Sequence, residues 1–163
     1  MKIAIIGYSA SGKSTLAAKL GTRYQIPVQH LDSLQFVAGW NLRDRNEARA
    51  MVAEFLQQDS WVIDGNYENF FQKERLERAD RIIFLNFNRF ACLYRAFRRY
   101  LRYRGRTRED MAEGCNEKID REFVWWILHE SRTRKRREHF REICEAYRGK
   151  VTVIRSQREL ERL

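Results

Sequence analysis

The sequence predicts an α/β fold, a mostly parallel, doubly wound sheet with helices on both faces, and three observations carry it. Five short apolar runs, near residues 2–6, 27–31, 61–64, 81–86 and 150–154, alternate with segments of helical periodicity. That alternation supplies the crossovers that parallel pairing needs. The first run, Lys2 to Ile6, is continuously apolar and β-branched, as a strand covered on both faces must be. Beyond it a Gly/Ser turn passes straight into Leu16, Ala17 and Leu20, spaced as on one face of a helix.

Helices are expected near 13–23, 45–58, 69–78, 88–103, 117–147 and 157–162. A chain of 163 residues with 44% hydrophobic content suits one compact domain spanning 1–163. No Ser/Pro/Gly-rich linker or repeat divides it, and Pro27 is the only proline. No apolar stretch approaches the ~20 residues of a membrane span, and the first run is too short for a signal peptide, so no membrane association is expected. Cys92, Cys115 and Cys144 are odd in number and lack Cys-x-x-Cys spacing, which suits a reducing cytoplasm. His30, His129 and His139 form no metal spacing with them.

The turn after the first strand reads Gly7-Tyr-Ser-Ala-Ser-Gly-Lys-Ser14. Glycine, four residues, then Gly-Lys-Ser is the phosphate-binding P-loop pattern, here in its required place between strand and helix. Gly7 and Gly12 let the backbone turn tightly and bring N–H groups toward an anion, where the helix adds its positive end. Gly7, Ser9, Ala10, Ser11, Gly12, Lys13, Ser14 and Thr15 are therefore expected to hold a nucleoside triphosphate, ATP. Lys13 would reach the β- and γ-phosphates and the Ser14 hydroxyl would ligate Mg²⁺.

Charge is concentrated. The net charge is +10, from 32 basic and 22 acidic residues, and 25 of the basic residues are arginine. Residues 89–108 carry eight of those arginines and no acid; the remaining chain is nearly balanced. Arg95, Arg98, Arg99 and Arg102 project together from the 88–103 helix, with Phe90, Leu93, Phe97 and Leu101 opposite and expected to pack on the sheet. An arginine-bearing helix running into Arg104-Gly-Arg-Thr-Arg108 reads as a lid over phosphates, about 95–118. Arg132 and Arg134 to Arg137 read as a solvated surface.

Ligands collect at the carboxyl ends of parallel strands. That rule gathers the P-loop, His30-Leu-Asp32, Asp64-Gly-Asn-Tyr67 and Asn86-Phe-Asn88. With these in place the chain resembles the nucleoside/nucleotide kinase branch of P-loop proteins, and more closely the bacterial topology-modulation-protein-related family of adenylate-kinase-like proteins. The resemblance rests on Ile6 to Leu16, His30 to Asp32, Gly39-Trp40, Trp61 to Tyr67, Arg78 to Leu85 and Gly114 to Lys118. It implies a three-layer α/β/α P-loop fold with a five-stranded parallel sheet, use of ATP and Mg²⁺, and phosphoryl transfer to a small acceptor. It also implies an adenine contact at Arg155. One position departs from the family: the fourth strand commonly ends in Asp, and this chain has Asn86, so either Asp32 or Asp64 supplies the carboxylate or catalysis is weak.

Phosphoryl transfer needs positioning and cancellation of negative charge. Lys13, Arg95 and Arg99 are assigned to the transferring group, Arg98 and Arg155 to the nucleotide, and Ser14 to the metal. Asp32, Trp40, Arg43, Arg45, Asp64, Asn66 and Tyr67 are assigned to the acceptor, under a flap of about 34–58. Arg43 and Arg45 favour a nucleotide acceptor, as in a nucleoside-monophosphate kinase. The first alternative is a small hydroxylated metabolite, with Asp32 as base. The second is an ATP-dependent DNA-binding protein using the 89–108 arginines on a nucleic-acid backbone.

Overall fold

A computed structural model describes all residues, 1–163. Its centre is β1 (Lys2–Gly7), whose residues Ile3 to Ile6 are wholly inaccessible to solvent. Beside it lie β2 (Val28–His30), β5 (Trp61–Asp64), β6 (Arg81–Leu85) and β7 (Val151–Ile154), all parallel, in the order β2-β5-β1-β6-β7. The short antiparallel pair β3 (Phe36–Val37) and β4 (Asn41–Leu42) stands outside this sheet. Thirty buried residues form one core around the sheet. Burying each Ile or Leu there stabilises the fold by about 1.5–3 kcal/mol. From β1 the chain crosses to the edge strand β2, returns to β5 beside β1, and then moves out through β6 and β7 on the other side, so a crevice opens at the carboxyl ends beside β1. The fold class and all five strands agree with the sequence reading.

Around the sheet run α1 (Lys13–Tyr24), α2 (Leu31–Gln35), α3 (Arg45–Phe55), α4 (Gln72–Arg78), α5 (Arg89–Tyr103), α6 (Arg121–Leu128), α7 (Arg134–Ala146) and α8 (Gln157–Leu160). Three expectations need correction. The 117–147 stretch is two helices. Asp120 caps α6 by accepting from Phe123 N, Thr133 caps α7 by accepting from Arg136 N, and His129 between them leaves the helical region. Of the apolar stripe of α5 only Leu93 packs, partly buried, against the core; Phe90 is 72% exposed and Leu101 60%, with Phe97 and Tyr94 also exposed. The buried positions of α5 are the small residues Cys92 and Ala96, which let the helix lie close. Finally, Arg132 is no surface cation. It stacks 3.8 Å above the Tyr8 ring and donates to Phe87 O.

The 104–117 part of the segment expected to form the lid is folded back on itself, through bridges pairing Arg104 with Glu117 and Thr107 with Asn116. It is also fastened to the β3–β4 hairpin. Gly39 N donates to Gly114 O (3.1 Å), Trp40 Nε1 to Asn116 O (3.0 Å) and Cys115 Sγ to Val37 O (3.2 Å).

Candidate active site

An open cleft of about 2540 Å³ runs along the carboxyl edge of the sheet. Its floor is the turn between β1 and α1. Gly7 is required there because a Cβ would stand 2.5 Å from Leu85 O. Gly12 adopts φ +98° as the cap of α1, and no side chain caps that helix. The first-turn N–H groups of α1 are thus left for an external acceptor. Ser11 Oγ is buried without a partner in the same turn. An uncapped helix start beside an orphaned hydroxyl fits a bound phosphate.

Lys13 donates to Gly7 O (3.2 Å) and Tyr8 O (3.1 Å), folded onto the turn it would leave to meet a phosphate. Burial pulls its proton affinity below the ordinary lysine value, and the carboxylates of Asp32 and Asp64 act in the opposite sense. Ser14 Oγ donates to Asp64 Oδ2 (2.9 Å), and His30 Nδ1 sits 2.5 Å from Asp64 Oδ1. Burial pushes His30 down, but the Asp64 hydrogen bond and charge outweigh it, leaving His30 above its ordinary value. The carboxylate beside Ser14 is therefore Asp64, at the end of β5. Asn86, at the end of β6, does not line the cleft. A hydroxyl and a carboxylate are hard oxygen donors suited to Mg²⁺, which takes few protein ligands and completes its shell from phosphate and water.

Asp32 follows β2 and reaches the cleft, where Tyr67 donates its hydroxyl to Asp32 Oδ1 at 2.6 Å. Tyr67 is partly buried and faces that carboxylate, so its own proton is held far more tightly than usual. Trp40, with φ +64° and its ring edge on Phe36, lines the same half of the cleft. Arg43 and Arg45 do not. Arg43 is tied to Leu34 O and Glu47, and neither residue lines the cleft, so the expected cationic grip on an acceptor is absent. Asn66 lines the cleft and clamps the phosphate turn: its Nδ2 donates to Gly7 O (2.7 Å) and its Oδ1 accepts from Gly7 N (3.0 Å), leaving one N–H and one lone pair of the amide.

Arg95, Arg98, Arg99 and Arg102 all line the cleft from α5, as their spacing implied. Arg95 lies over the Phe87 ring and bridges Ser11 O to Gln157 Oε1. Arg155 lines the same end, beside Gln157. Three residues that the sequence reading missed complete the site. Arg75, wholly buried, donates to Phe70 O, Tyr67 O and Gly65 O, and so sets the 65–70 loop. Trp126 Nε1 donates to Ser9 Oγ at 2.8 Å. Glu117, also buried, pairs with Arg99 and Arg108. Two of these had a weak signal: Glu117 and Trp126 fall among segments noted for other reasons, whereas Arg75 looks like any exposed residue of a charged helix.

The sequence matches no protein-family model and no curated protein. Solved structures do share the fold. TT1252 from Thermus thermophilus superposes with a TM-score of 0.55 at 19% identity, over 99% of this chain and 93% of that one. Shikimate kinase from Bacteroides thetaiotaomicron gives 0.50 at 18% identity, over 99% and 92%. What they share with this chain is the fold, a five-stranded parallel sheet flanked by helices. The topology-modulation-protein resemblance rests on sequence segments alone.

Proposed function

We propose that this protein is an ATP-dependent phosphotransferase whose acceptor is a hydroxyl of a small unphosphorylated molecule, with Asp32 as the base. One observation carries the choice of acceptor. Asp32 stands in the cleft, held by Tyr67 at 2.6 Å, while the flap arginines that would grip a nucleotide's phosphate face elsewhere. The nucleotide acceptor expected from Arg43 and Arg45 loses its support with them.

In this reading the P-loop amides and Lys13 hold the triphosphate with its γ-phosphorus toward Asp32. Arg95 and Arg99 cancel the charge on the moving phosphoryl group, and Arg98 and Arg155 flank the nucleotide. Asp32 takes the acceptor's hydroxyl proton as the acceptor oxygen bonds to the γ-phosphorus and the bond to the β-phosphate oxygen breaks, releasing ADP. Magnesium, held through Ser14 with Asp64 beside it, supplies charge neutralisation at the phosphates when bound. Tyr67 fixes the Asp32 carboxylate and fills one of its acceptor sites, leaving the other oxygen for the substrate.

The test is ADP release from Mg-ATP across sugars and polyols, hydroxy acids, nucleosides and nucleoside monophosphates. Stimulation by an unphosphorylated hydroxyl compound is expected. Asp32→Asn should lower that turnover by about 10²–10⁴-fold, the usual share of a general base. Its affinity for Mg-ATP should not weaken, since only a nearby negative charge is lost. Stimulation by nucleoside monophosphates alone, or full turnover in Asp32→Asn, would overturn the reading.

A further inference from the structure

Arg99 is assigned to the transition state, and its place in the cleft depends on one buried carboxylate. Glu117 is 5% exposed, although it sits in the polar segment between α5 and α6. Its backbone is fixed by the Glu117 N to Arg106 O bond (3.0 Å). Its side chain meets two guanidinium groups at once. Oε1 accepts from Arg99 Nε at 2.7 Å. Oε2 lies 2.7 Å from Arg108 Nε, whose N–H is not aimed at it, so this second contact is an ion pair without a hydrogen bond. Arg108 also donates from Nη1 to Asp110 Oδ2 at 2.7 Å.

Two features make the arrangement more than packing. Two cations share this small volume and repel, and Glu117 is the one carboxylate that touches both. The contact also uses the Nε edge of Arg99, and no protein acceptor takes its Nη groups. A guanidinium held by its Nε edge presents the two-nitrogen end that pairs best with phosphate oxygens. Arg99, Arg108 and Glu117 all line the cleft that Lys13 enters from below.

We propose that Glu117 is a positioning residue. Its carboxylate holds Arg99 by the Nε edge so that the free Nη end of Arg99 meets the phosphoryl group in transit, with Arg108 beside it tied through Nη1 to Asp110. The inference rests on the phosphotransferase reading but not on the acceptor's identity. It also accounts for a buried acid in the Gly114-to-Lys118 segment, to which the sequence assigns no role.

The test measures Mg-ADP binding with and without aluminium fluoride, which mimics the transferring phosphoryl group. It compares wild type, Glu117→Gln, Arg99→Ala and the double variant, with thermal midpoints recorded for each. Wild type should bind Mg-ADP more tightly with fluoride. Glu117→Gln should lose at least about tenfold of that tightening, while Mg-ADP alone changes by less than about twofold. In the Arg99→Ala background the same substitution should cost less than about twofold, because Glu117 acts through Arg99. If Glu117→Gln does not fold, Glu117→Asp takes its place, with a smaller loss that also vanishes beside Arg99→Ala. Unchanged tightening in the Glu117 variant, a loss that persists in the double variant, or a parallel loss of Mg-ADP affinity overturns this inference alone. So does Mg-ADP binding in wild type with no fluoride effect. Failure of wild type to take up either Mg-ADP or Mg-ATP overturns the phosphotransferase reading, and this inference with it.

Discussion

Arg75 shows how much of the site depends on a residue with no chemical role. It is fully buried, and burial lowers its proton affinity to about 10, so it stays charged at neutral pH. Its three donors satisfy carbonyls of the loop that carries Asn66 and Tyr67. Arg75→Met keeps the apolar stem but strands those carbonyls, and should destabilise the fold by about 3 kcal/mol or more. Chemical denaturation would check this; a loss below about 1 kcal/mol would mean that water satisfies the loop instead. The residues legible in the sequence were those whose chemistry is fixed by spacing: Lys13 and Ser14 by the P-loop, Asp32 by its place after a strand. Arg75 and Glu117 find their partners nearby, but through irregular loops that no periodicity records, and Trp126 finds its partner far away in sequence. Trp126 reaches Ser9 across the fold, and no local pattern records that bond. Asn66 was found, but its clamp on Gly7 was not, since nothing local shows that Gly7 bonds both of its amide atoms.

Among the elements, α5 departs furthest from its sequence pattern. Most of its large apolar residues point to solvent, Leu93 packs partly buried against the core, and the small Cys92 and Ala96 are its buried positions. The arginines beside that contact line the cleft, their stems able to cover apolar surface. Periodicity locates a helix and its stripes but cannot say which stripe the sheet takes when a cleft competes for the cationic one. Leu101→Glu should therefore change stability by no more than about 0.5 kcal/mol. Ala96→Leu, on the buried stripe, should cost about 1–3 kcal/mol through overpacking. Thermal midpoints of the two variants would reverse in order if α5 lay on the sheet by its Phe/Leu stripe. The 117–147 segment teaches a second lesson. A helical stretch was expected there, and Ile127, Phe140 and Ile143 are buried in it, but the caps at Asp120 and Thr133 went unread and so did the break between them.

For the molecule as a whole, strand order does the assembling. Putting β1 at the centre, with β5 and β6 on either side, brings the P-loop, Asp64 and Asp32 to one edge from three distant segments. The alternation of strand and helix was enough to foresee that meeting. The fastening of the Gly114–Asn116 segment to the Phe36–Leu42 hairpin was not foreseeable, because it consists of backbone and single side-chain contacts without a periodic signature. The positive charge also finds an internal use. Arg95, Arg98, Arg99, Arg102 and Arg108, most of the acid-free run, line the cleft. One titration tests the central claim, that this cleft holds a triphosphate by its P-loop: calorimetry of Mg-ATP into wild type and Lys13→Ala. Saturable one-to-one binding, weakened at least about tenfold in the variant, is the predicted result, since a charge-assisted contact of about 1.5–3 kcal/mol is lost. No heat of binding in wild type, or equal affinity in both proteins, would contradict it.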